Sequence, residues 1–125
     1  MSAVLDAGAL IALERGDRTM WAHFKHEVEA GRTPATHGGV IGQVWRNGSR
    51  QVRLARVLPG IETMPLDETA GRAAGTLLGA AGGTDVIDAA LVSIAHDGDT
   101  IFTSDLGDIT HLAEVRGLRV KTVGV

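Results

Sequence analysis

Between Gly83 and Ile109 the chain carries Asp85, Asp88, Asp97, Asp99, Asp105 and Asp108, and no Lys or Arg occurs between Arg72 and Arg116. Asp85 with Asp88, and Asp105 with Asp108, repeat the spacing D-x-x-D where two helices are expected to open, and Asp6 closes the first apolar run. Carboxylates gathered without a counter-charge repel: two of them about 4 Å apart do so by roughly 4 kcal/mol at an effective dielectric of 20. Such a group must be protonated, kept apart by water, or joined by a cation. With oxygen donors only and no cysteine, the cation that suits them is Mg2+ or Mn2+ rather than zinc. A divalent ion so held activates water and neutralises a phosphate, which is the chemistry of phosphodiester hydrolysis. Capping is the competing reading, because Asp is a strong N-cap and the helix dipole favours acids in the first turn. Asp97 and Asp99 flank Gly98 and read as turn residues.

The elements that must position these residues alternate along the chain. SAVLDA is a short apolar strand, and ALIALERG and RTMWAHFKHEVEAG follow as helices closed by Gly16 and Gly31. TPAT is a brief second strand, and GGVIGQVWRNGSRQVRLARVL reads as one helix weakened by Gly42 and Gly48 and broken at Pro59-Gly60. IETMPL is a third strand, and DETAGRAAGTLLGAAGG is a helix capped by Asp67, with small residues that permit close packing. TDVIDAALVSIAH is a helix apolar on nearly every side and therefore buried. DTIFTS, DLGDITHLAEVRG and LRVKTVGV complete the series as strand, helix and strand. Alternation with crossovers this short implies an α/β fold, a central, mainly parallel sheet covered on both faces. In that arrangement Asp6 and Asp105 end strands, and Asp85, Asp88 and Asp108 enter on helices that begin at the same carboxyl edge, where ligands bind in open α/β sheets.

The length fits a single domain over residues 1–125. Hydrophobic residues at 44% and charged ones at 22% describe a globular chain rather than a disordered one. The absence of cysteine excludes a disulfide scaffold and suits a reducing cytoplasm, and no segment reads as a signal peptide or membrane span. A net charge of -3 gives no global attraction to a polyanion, so any such partner is met locally or through a cation. The local basic feature is Arg46, Arg50, Arg53 and Arg56, spaced as a continuous stripe on one helix face, which is either solvated or a contact for phosphates or an acidic partner. Thr103 and Ser104 stand beside Asp105 as groups able to orient it or touch a phosphate. His37 reads as structural, and His23 and His26 as solvated on the polar side of their helix.

VLDAGALIAL, DAALVSIA and TSDLGDI together resemble the acidic signatures of PIN-domain ribonucleases, most closely the VapC toxins of bacterial toxin–antitoxin pairs. The resemblance spans nearly the whole chain in length and segment order. It matches Asp6 to the family's first acidic ligand, Asp105 to the acid after the fourth strand, and Asp108 to the further acid just beyond. The third acidic position is open: Asp88 fits by the small-apolar run after it, Asp85 by its distance to Asp105. Where the family carries a Glu on the third helix this chain has Gln43, whose amide can hold a metal-bound water but adds no charge. The resemblance implies a PIN-like α/β/α sandwich and a Mg2+-dependent endoribonuclease, with Mn2+ as a substitute ion. It also implies a homodimer inhibited by a small cognate antitoxin. Two other readings stand beside it. One is a PIN domain weakened by Gln43 that acts mainly through protein binding. The other is a receiver-like phosphoacceptor domain, which would need a second acid beside Asp6 and a Lys placed elsewhere than Lys121.

Overall fold

The computed structural model describes all 125 residues. Five parallel strands, β1 (Ala3–Leu5), β2 (Ala35–His37), β3 (Glu62–Met64), β4 (Thr100–Thr103) and β5 (Lys121–Gly124), form one sheet in the order β3-β2-β1-β4-β5. The two apolar runs with the strongest burial, β1 and β4, lie side by side at its centre, with Leu5 opposite Phe102. The chain lays β2 and β3 to one side of β1, then crosses back to place β4 and β5 on the other.

Seven α-helices make the crossovers. α1 (Ala7–Glu14) packs with α2 (Arg18–Glu29), α3 (Gly38–Val44) and α4 (Val52–Val57), while α5 (Glu68–Ala81), α6 (Val86–Ile94) and α7 (Leu106–Arg116) pack together. Parallel crossovers of one hand put the first group on one face and the second on the other, giving three α/β/α layers. Their shared core includes Val4, Leu10, Leu13, Leu91, Ile101 and Ile109, all essentially inaccessible. α6 is buried along Ala89–Val92, as its unbroken apolar composition requires.

Two expectations from the sequence are corrected. The segment read as one helix from Gly38 to Leu58 is two, because α3 stops at Trp45, whose backbone is extended (φ -74°, ψ 132°), and α4 begins only at Val52. The intervening loop has its own scaffold. Buried Gln51 accepts hydrogen bonds from the Arg46 and Asn47 amides and donates to the Val44 carbonyl. Trp45 lies against Gly48, where a Cβ would stand 2.9 Å from the indole ring. The arginine stripe therefore does not exist as one helix face: Arg46 and Arg50 belong to the loop, Arg53 and Arg56 to α4. In α5 the small residues divide: Ala74 packs in the core, whereas a Cβ at Gly71, Gly75 or Gly79 would meet nothing within 4 Å. No single helix is long and apolar enough to cross a membrane.

Candidate metal centre

β1 and β4 diverge into oppositely directed crossovers, so the crevice beyond their carboxyl ends is the switch point where open α/β sheets bind ligands. Asp6 follows β1 and Asp105 follows β4 at that crevice. α6 starts at the same edge with Asp85 as N-cap and Asp88 in its first turn, and α7 brings Asp108 in its own first turn.

The five carboxylates hold different hydrogen bonds. Asp6 is buried, with Oδ1 accepting from the Ala9 amide (2.9 Å) as the cap of α1 and Oδ2 accepting from the Ser104 amide (3.0 Å). The second bond needs α1 close to the 104 turn, and Gly8 permits it: a Cβ there would collide with the Ser104 side chain. Asp85 spends one oxygen on the Ile87 and Asp88 amides, both at 3.0 Å. Asp105 occupies an N-cap position but makes no side-chain cap bond, and Thr103 Oγ1 accepts its backbone N–H (2.8 Å). Asp88 and Asp108 lie within first turns and cap nothing. So capping accounts for Asp6 and Asp85, and leaves Asp88, Asp105 and Asp108 without a cap bond.

Those three bring carboxylate oxygens within 4.8 Å of one another, near enough for one cation with ~2.1 Å bonds to draw them together. Asp88 reports the strain of the arrangement. Its pKa is pushed up to about 7, first by burial, then by the charge of Asp85, a hydrogen bond that its protonated form gives Asp105, and the charges of Asp105 and Asp6. A divalent cation would offset the repulsion among these charges, and oxygen-only donors suit Mg2+ or Mn2+. The residues present fit such an ion. A depression of about 370 Å3 lined by Asp85, Asp88, Asp108 and His111 opens beside them, with His111 Nε2 held 3.0 Å from the Ala81 carbonyl.

The remaining expected residues fall in several places. Thr103 is buried and Ser104 exposed at the rim, each joined to an aspartate as described. Gln43 is exposed on α3 and lines a different depression with Arg15, Arg46 and Arg50. Arg53 turns its Nη1 toward the Glu14 carbonyl (3.3 Å). His37 is structural: it caps α3 by accepting from Gly39 N–H through Nδ1, and its Nε2 meets the Ile87 carbonyl at 2.9 Å. Burial holds its pKa low, partly opposed by that bond to Ile87. This link ties the end of β2 to the first turn of α6, beside Asp88. His26 is exposed as expected, but His23 is half-buried with its ring 4.8 Å from that of Phe102. Asp97 and Asp99 are turn residues whose carboxylates accept from the Arg119, Ser2 and His96 amides. Gly8, Arg15 and Gln51 escaped the sequence reading; the close approach of α1 to Ser104 and the 45–51 loop explain their placement.

No protein-family model matches the chain, and no curated protein matches it in sequence. Among solved structures it is similar to the crystal structure of VapBC2 from Rickettsia felis bound to a DNA fragment from their promoter. That likeness has a TM-score of 0.68 at 13% identity, covering 98% of this chain and 99% of the other. It establishes the fold, and the PIN-like three-layer sandwich expected from the sequence stands.

Proposed function

We propose that this chain is a metal-dependent endoribonuclease, the toxin of a toxin–antitoxin pair. The observation that carries the reading is the convergence of Asp88, Asp105 and Asp108 at the switch point without a cationic side chain among them. The likeness in fold to a chain of a toxin–antitoxin complex supports it. Asp88, Asp105 and Asp108 would hold Mg2+ or Mn2+, with Asp6 and Asp85 supplying negative charge from fixed positions. The bound ion supplies water activation and neutralises charge on the scissile phosphate. The protein contributes the rest. Asp6 is immobilised by two backbone amides, so it orients the rim rather than moving with substrate. Asp88, whose pKa is pushed up to about 7 without an ion, would give up its proton when the cation binds. Ser104, exposed between Asp6 and Asp105, offers a hydroxyl to a phosphate oxygen. A homodimer, an antitoxin partner and a cytoplasmic setting belong to the same proposal.

Incubating the protein with bulk RNA in Mg2+ or Mn2+, against an EDTA control, tests the reading. Ion-dependent cleavage that disappears in Asp105→Asn is expected. Gln43 lies in a separate depression and so takes no charge from the rim; the second reading, a domain that acts mainly through protein binding, is decided by the same assay. Full metal binding with no cleavage of any RNA would select that reading.

A further inference from the structure

Away from the aspartates, three arginines line one depression. Arg15, immediately after α1, shares a depression of about 450 Å3 with Arg46 and Arg50 of the loop and with Gln43 of α3. Glu14 is the only acid lining it, so three positive charges face one negative. None of these four side chains forms an ion pair within the protein. The loop that presents them is held firmly. Gln51 fixes it by three hydrogen bonds, and Arg46 Nη1 donates to the Gly42 and Trp45 carbonyls, leaving its Nε and Nη2 hydrogens unspent. A buried amide devoted to holding a solvent-facing basic loop points to a use for that loop.

The depression adjoins a second one that reaches the Ser104 side of the acidic rim. That one, whose lining includes Gly8, Ser104 and one acid, Asp17, shares Ile11 and Arg15 with the first. Gly8 and Ser104 stand beside Asp6, and from Gly8 to Arg15 is about 10 Å along a helix. A ligand crossing the aspartates therefore has a path along α1 to the arginines.

We propose that Arg15, Arg46 and Arg50, with the Gln43 amide, form a phosphate subsite for the RNA strand whose scissile bond lies at the aspartates. An acidic peptide also suits guanidinium groups, but an RNA strand carries a phosphate at every nucleotide and so presents anions both to the arginines and to a cation at the aspartates. The identity of the strand rests on the nuclease reading; the anion site itself does not. Gln43 then acts on the substrate side, and a Glu there would place a second acid among the arginines.

The test is binding of a nuclease-resistant 2′-O-methyl oligoribonucleotide in EDTA, followed by fluorescence anisotropy over a salt series. Arg15→Ala is expected to weaken binding about 5-fold at about 0.1 M salt and to reduce the salt slope by roughly 0.7, as loss of one single-strand phosphate contact does. Gln43→Glu weakens binding by a similar factor. Asp105→Asn binds at least as tightly as the wild type, and Arg119→Ala, at the opposite edge of the sheet, binds equally. Undetectable wild-type binding in EDTA, unchanged affinity and slope in Arg15→Ala, or an equal loss in Arg119→Ala would each overturn the subsite. Arg15-dependent binding without ion-dependent cleavage would retain the subsite and remove the nuclease reading.

Discussion

At Asp88, burial and three neighbouring aspartates act in one direction, toward the protonated form. Between the ordinary carboxylate range and pH 7 the folded protein therefore binds more protons than the unfolded chain. Stability contributed by this group falls as pH rises through that window and does not return above it. A cation must displace the same proton, so Mn2+ affinity is expected to rise up to about tenfold per pH unit below 7 and to level off above. Isothermal titration from acid to weakly basic pH checks this; a flat profile would remove Asp88 from the ligand set. Asp105 and Asp6 differ at this scale although both are rim acids. Asp105→Asn removes a charge and no cap bond, so it should abolish cleavage while the metal-free melting temperature holds or rises. Asp6→Asn keeps a single acceptor for two amides, one of them 98 residues away in sequence, and should cost about 1–3 kcal/mol in urea unfolding. Equal stability in the two variants would contradict that distinction.

Among the elements, the 45–51 loop is the one whose form departs most from expectation. Gln51→Leu strands two amides and a carbonyl, and should destabilise by about 2–4 kcal/mol on the usual cost of buried unpaired groups. Thermal unfolding with Arg46→Ala as comparison measures it, and a loss no greater than that of Arg46→Ala would show the clasp to be unimportant. The break was legible in part, since Asn47-Gly48-Ser49 is turn chemistry, yet arginines at helical spacing suggested continuity. β1 and β4 were readable because each is a short apolar run bounded by turn or cap residues. Asp6 and Asp105 were readable because strand ends place them without any side-chain detail. The Arg15 cluster was not, because its members come from α1 and a loop that meet only in the folded protein. The close approach at Gly8 was hidden for the same reason: its cause, Ser104, lies far along the chain.

Over the whole molecule, the acids at the switch point and the basic groups beyond α1 give an almost neutral protein two sharply different fields. A specific ion should therefore be distinguishable from general screening. Millimolar Mg2+ or Mn2+ is expected to raise the melting temperature well beyond monovalent salt at matched ionic strength, because only the native state assembles the rim. Equal shifts would leave no specific site. The pairing of β1 with β4, Leu5 opposite Phe102, carries a consequence for the order in which the molecule comes into being. Asp6 is made early, but its second amide partner and Asp105 are made only after β4, across nearly the full loop of the chain. Contacts so distant in sequence form late. On the proposed reading, a growing polypeptide on the ribosome, surrounded by RNA, holds no cutting centre until β4 and the first turn of α7, with Asp108, have emerged.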